Sequence, residues 1–187
     1  MFIIAFSFYV PSLPSEWPGI APFISTFNPN LYLAWVVPCL LLALTFPVLI
    51  LCVHLYSPEN RGIFSWIGLI YAIMYGAILS TNYWLLATVV RESILEGYTE
   101  GLAWLVIGSP HSVTNTIEGI GYGFMGLSTL SIGLTFDGRG LERGIKWLLI
   151  INGLSGIGGV ISGGASIVVA LWISLALRTI TFSFSGI

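Results

Sequence analysis

Glu118 is the carboxylate of this chain that sits well inside an apolar run, within the stretch SPHSVTNTIEGIGYGFMGLSTLSIGLT from Ser109 to Thr135. At helical spacing, His111, Asn115, Glu118 and Tyr122 follow at i, i+4, i+7 and i+11, which is one face. An ionisable side chain inside a membrane span is costly to keep there and is a functional candidate for that reason. Such a carboxylate can carry a proton, bind a cation or hold a polar headgroup. Asn82 and Arg91 approach the same membrane face from the preceding apolar run. The candidate polar pocket is therefore Glu118, Asn115, His111, Tyr122, Asn82 and Arg91.

Four of these residues also have a structural account. Asn115 with Glu118 three positions on fits an N-cap pattern, in which the carboxylate serves free amides and suits the helix dipole. A helix that starts near Asn115 keeps Glu118 by the headgroups. One that starts at Pro110, with Ser109 as its cap, carries Glu118 about 12 Å deeper by helix rise. His111 at a helix start titrates without needing a partner. Arg91 at a span end reads as a snorkelling side chain. His111 and Glu118 are ~10 Å apart along a helix axis, too far to touch but able to flank a substrate as acid and base.

No catalytic motif backs that last idea. Gly121 to Gly126 matches G-x-G-x-x-G, but no strand precedes it and no βαβ context surrounds it. Ser-His-Asp, HExxH and CxxC arrangements do not occur, and His54 has no partner at metal-ligand spacing. The expectation is no catalytic residue, no metal and no cofactor.

The elements that must hold Glu118 are apolar. The chain has 187 residues, 56% of them hydrophobic and 7% charged, against about a quarter charged in soluble domains. Several runs approach the ~20 residues that a bilayer crossing needs, and the weak alternation of a barrel is missing. The net charge of −2 points away from nucleic acid. The reading is all-α: a polytopic transmembrane helical bundle of about five spans after an apolar N-terminal stub, all one integral membrane domain.

The stub is residues 1–10, read as the tail of a first helix, since it has no basic n-region of a signal peptide. A proline-rich loop follows over 11–30. Spans are expected near 31–56, 63–90, 110–135, 145–161 and 165–182, with Pro38 and Pro47 kinking the first. The last two arise by splitting a run too long for one crossing at Ser162-Gly163-Gly164; one tilted or bent helix is the alternative. Between 91 and 108, Glu92, Glu96 and Glu100 recur at spacing four opposite Leu95, Tyr98, Leu102 and Leu105, as in a short interfacial helix. With the split, Arg61, Arg139, Arg143, Lys146 and Arg178 fall on one side and Arg91 on the other. The positive-inside rule then puts the basic loop 137–146 in the cytoplasm and loop 91–108 opposite.

Small residues mark the helix contacts. Gly68, Ala72, Gly76 and Ser80 form a small-xxx-small ladder, and the stripe of Gly119, Gly123, Gly126 and Gly133 is its natural partner. Cys39 and Cys52 are too far apart along one helix to bridge and are both expected as buried apolar thiols.

The segments YVPSLPSEWPG, STNYW, GSPHS, EGIGYGFMGLSTL and LLIINGLSGIGG resemble those of small uncharacterised multi-pass membrane proteins of bacteria and archaea. The resemblance implies the membrane class and a full first helix upstream of the stub, and it transfers no site residue. The leading functional expectation is non-enzymatic: a protein of the cell membrane that binds a lipid or other amphiphile, or a partner helix from another copy or another membrane protein. A proton- or cation-coupled transporter using Glu118 is the alternative, and an intramembrane lipid-modifying enzyme the third reading.

Overall fold

The structure, a computed structural model, describes residues 17–136 and 140–161, with side chains as far as 158. The stub 1–10, the glycine turn 162–164, the span 165–182 and positions 137–139 of the basic loop lie outside the described residues.

The described chain is all-α. In order it forms α1 (Ile20–Ser25), α2 (Pro29–Tyr56), a 3-10 turn (Glu59–Arg61), α3 (Gly62–Leu85), a π turn (Leu86–Val90), α4 (Arg91–Glu96), a second 3-10 turn (Leu102–Trp104), α5 (Val113–Gly133) and α6 (Gly140–Ile161). Helix α1 lies in the stretch expected as loop; the Ser25 hydroxyl donates to the Pro22 carbonyl at 2.8 Å. Helix α2 starts where Asn28 can cap it. The Asn28 Oδ1 accepts from the amides of Asn30 (3.0 Å) and Leu31 (3.1 Å), and Pro29 takes the first helical position, where its missing amide costs nothing. The helix continues through Pro38 and Pro47 to Tyr56.

Among the described residues, two helical runs are long and apolar enough to cross a bilayer: α2, and the run from Glu59 to Glu96 that joins α3, the π turn and α4. In their most apolar windows only 28% and 39% of residues are buried inside the protein. Leu41, Leu44, Val48, Ile63, Ile70 and Ile73 are among the large apolar side chains left outside.

The interfacial helix expected over 91–108 is replaced by a different arrangement. Arg91–Glu96 continues the preceding helix instead of lying apart from it. Gly97 stops it with a left-handed φ of 80°: the Tyr98 amide donates to the Ser93 carbonyl at 2.8 Å and the Gly97 amide to the Ile94 carbonyl at 3.3 Å. That is a Schellman ending, and glycine enters the required conformation without a Cβ penalty. Glu100 falls beyond it, in a turn.

The chain divides into two compact units, residues 1–46 with 76–118 and residues 47–75 with 119–187. In the first, Tyr32, Val36, Cys39 and Ala43 recur every three or four residues along α2 and are buried. Leu79, Tyr83, Leu86 and Val90 do the same along α3 and the π turn.

In the second unit, glycines let α5 and α6 touch backbone to backbone. A Cβ on Gly126 would lie 2.8 Å from the Gly153 carbonyl oxygen, and one on Gly153 would lie 2.6 Å from the Gly126 carbonyl oxygen. Gly133 faces Ile150 of α6 at 3.1 Å in the same sense. Gly126 and Gly133 of the α5 stripe thus meet α6, where Gly153 and Gly156 supply the complementary surface, and Gly68 of the ladder meets α5. A Cβ on Gly68 would lie 2.7 Å from Ile132, and the Ser128 hydroxyl donates to the Gly68 carbonyl at 2.8 Å. Arg61 Nη1 donates to the Phe136 carbonyl at 2.9 Å, serving the C-terminal end of α5. Cys39 is buried as expected, but Cys52 is exposed, on the outward face of α2.

Candidate functional site

The polar side chains of the first unit converge where α3 meets the start of α5. Ser112 decides that start. Its Oγ accepts from the Asn115 amide at 3.2 Å, the geometry of an N-cap serving the third helical residue. Helix α5 therefore begins at Val113, between the two starts considered from sequence. Asn115 stands at the third helical position and Glu118 at the sixth, past the reach of a capping carboxylate.

Glu118 is held from across the unit. The Tyr83 hydroxyl donates to its Oε1 at 2.7 Å. Tyr83 is itself buried, with its ring edge-on to Trp35 at 6.3 Å between centroids. The Cys39 thiol of α2 hydrogen-bonds with Tyr83 as well. One hydroxyl thus joins side chains from α2 and α5. Trp35 continues into an aromatic row through Tyr32 (5.5 Å) and Phe27 (a further 5.1 Å).

Asn82 stands beside Tyr83 on α3. Its Nδ2 donates to the Thr114 carbonyl at 3.3 Å. The opposite assignment of that amide would set oxygen against oxygen, so the acceptor end is the one turned away. Asn82 is 2% exposed, and among the described residues its Oδ1 receives no hydrogen bond. Helical side chains lean back over the preceding turn, so the Glu118 carboxyl is carried towards the Thr114 turn that Asn82 grips.

The other expected members go elsewhere. Asn115 staples the incoming loop: its Oδ1 accepts from the Gly108 amide and its Nδ2 donates to the Ser109 carbonyl, both at 3.3 Å. His111 precedes the helix, exposed beside the Trp104 ring at 6.3 Å, so it does not share the helical face of Glu118. Arg91 pairs with its neighbour Glu92. Tyr122 belongs to the second unit, where its ring lies 6.4 Å from that of Tyr75. Of the packing residues not yet placed, Ala72 and Gly76 are buried and Ser80 is half-buried. Gly123 is half-buried, and a Cβ on Gly119 would meet nothing within 4 Å.

Tyr83 is the member that sequence reasoning missed. Its signal was its register with Leu79, Leu86 and Val90, which puts a phenol on the buried face next to Asn82. The site is a carboxyl with one hydroxyl donor and a thiol, with the Trp35 ring edge-on to the tyrosine and the Asn82 amide next to it on α3. Among the described residues no group of three or more His, Cys, Asp or Glu is placed to hold a metal ion. The arrangement can hold or pass a proton, or accept a hydrogen-bond donor. Comparison with protein-family models, with curated proteins and with solved structures gives no match to this chain.

Proposed function

We propose that this chain is a multi-pass integral membrane protein that binds an amphiphile, with Glu118 as the polar end of the binding site. The apolar, outward-facing surfaces of α2 and α3 support a lipid environment, because a soluble protein would bury such faces. Helices α5 and α6 have 21 and 22 residues, each the length of a crossing. With the span expected from the sequence near 165–182 they would make up a five-span bundle. The basic loop 137–146 then lies in the cytoplasm and the 91–108 segment opposite, in keeping with the resemblance to small prokaryotic multi-pass proteins.

The observation that carries the reading is the Tyr83–Glu118 hydrogen bond. It orients the carboxyl of a half-buried residue on one oxygen and leaves the other without a donor among the described residues. The test is native mass spectrometry of protein released from nanodiscs made of a natural lipid extract. Retention of a defined lipid by the wild type, lost in Glu118→Gln with unfolding temperature unchanged, is expected. A wild type that emerges free of lipid under the gentlest release conditions would sink the reading.

A second reading is proton-coupled transport. The Cys39–Tyr83–Glu118 connection favours it, since the hydroxyl offers a short relay to the carboxyl. The π turn at Leu86–Val90 adds a local break next to that relay. Proton flux in liposomes that is indifferent to Glu118→Gln would remove it.

A further inference from the structure

Two oxygens at this site accept hydrogen bonds that the protein does not supply. Glu118 uses Oε1 for Tyr83, and among the described residues no other group donates to the carboxyl and no basic side chain pairs with it. Asn82 Oδ1 is buried and unserved among the same residues. An acceptor left so is costly unless a donor comes to it. The Asn82 Nδ2 end is anchored on the Thr114 carbonyl, and Glu118 leans over that same turn, so both acceptors belong to one small region. Glu118 is half-buried there and Asn82 is buried.

We propose that this region takes a primary ammonium group. This inference rests on the amphiphile-binding reading above. A primary ammonium carries a positive charge for the carboxyl and N–H donors that can divide between Glu118 and Asn82. A quaternary trimethylammonium carries the charge without any N–H, so it leaves Asn82 unserved. A phosphate or other anion meets a carboxyl and an amide oxygen and is repelled by the first. The neighbouring aromatic rings favour either cation over an anion but do not choose between the two cations. The choice falls to the N–H donors, and it selects the ethanolamine type of headgroup over the choline type.

The experiment uses nanodiscs of three phospholipids with identical acyl chains and ethanolamine, choline or glycerol headgroups. Retained lipid is read by native mass spectrometry, and free ethanolamine is titrated separately against the unfolding temperature. The ethanolamine lipid should be retained about ten-fold over the choline lipid, the worth of one hydrogen bond to a charged group. In Asn82→Leu that preference should fall to about two-fold or less, and Asn82→Asp, which keeps an acceptor, should preserve it. Where Asn82→Leu fails to fold, the wild type is compared on the N-methyl and N,N-dimethyl ethanolamine lipids, whose retention should fall as N–H donors are lost and whose equal retention would overturn the assignment. Equal retention of ethanolamine and choline lipids overturns the headgroup assignment and leaves amphiphile binding standing. Stabilisation by free ethanolamine alone, with no lipid retained, keeps the ammonium site and overturns the amphiphile. Neither response overturns both.

Discussion

The Tyr83 hydroxyl meets Glu118 Oε1 at 2.7 Å across 35 residues of sequence, and it is the hydrogen bond that ties the carboxyl of α5 to α3. Removing the hydroxyl leaves the carboxyl with no donor among the described residues. Tyr83→Phe should therefore cost about 1–3 kcal/mol, the range for a hydrogen bond to a group that can be charged. Thermal unfolding in a single detergent checks the magnitude. A double-mutant cycle with Glu118→Leu, which removes the acceptor, checks the cause, because coupling near zero would mean that the two side chains do not act as a pair. Infrared difference spectra in bilayers should show the Glu118 carboxyl band displaced in Tyr83→Phe and missing in Glu118→Gln.

Ser112 sets where α5 begins and hence how far along the helix Glu118 stands. Its Oγ serves the Asn115 amide at 3.2 Å and lies 2.7 Å from the Thr114 hydroxyl. Ser112→Ala should cost about 1 kcal/mol, and Ser112→Asp, which keeps a capping oxygen, should cost less. Amide exchange at Val113 to Thr116 should rise in the alanine variant while the middle of α5 stays protected. Uniform loss of protection along α5 would show that the cap contributes to global stability and not to the start alone.

The long helices were legible because their apolar runs are unambiguous and because Asn28-Pro29 and Gly97 are local signals that act within a few residues. The start of α5 was not, since Ser109, Ser112 and Asn115 are all competent caps. What selects Ser112 includes the grip of Asn82 on Thr114, a contact 32 residues away. Glu118 was visible as a charge in an apolar run, but its partner Tyr83 was one aromatic among many. His111 was misplaced by extending helical periodicity across Ser112, where the helix has not yet begun. The glycine stripe was seen, yet its contact with α6 was not, because Gly153 and Gly156 show their complementarity only once α6 lies against α5.

Glycines on α5 should respond to alanine with opposite signs. At Gly126 the new Cβ would stand 2.8 Å from the Gly153 carbonyl oxygen, and backbone cannot rotate aside as a side chain can. Gly126→Ala should destabilise by about 1–3 kcal/mol, the usual cost of overpacking. At Gly119 nothing lies within 4 Å, so alanine meets no obstacle and gains about 1 kcal/mol of helix propensity. Unfolding temperatures of the two variants, measured side by side, should move in opposite directions. Destabilisation by both would mean that Gly119 is covered by a contact that its open Cβ direction does not show.

Arg61 fastens the other end of α5. Its Nη1 reaches the Phe136 carbonyl at 2.9 Å and the Leu134 carbonyl at 3.4 Å, 75 and 73 residues away in sequence. Both carbonyls lie in the turn just past Gly133, where Arg61 supplies hydrogen bonds, and its charge also stands near the negative end of the helix dipole. Arg61→Ala should cost about 1–2 kcal/mol on these two accounts, with amide exchange rising at Ile132 to Phe136. Arg61→Lys separates them, because lysine keeps the charge but lacks the planar fork that reaches two carbonyls together. If the hydrogen bonds dominate, lysine behaves like alanine and the loss is insensitive to salt. If the dipole dominates, lysine restores most of the stability, and raising the salt concentration shrinks the difference between wild type and alanine.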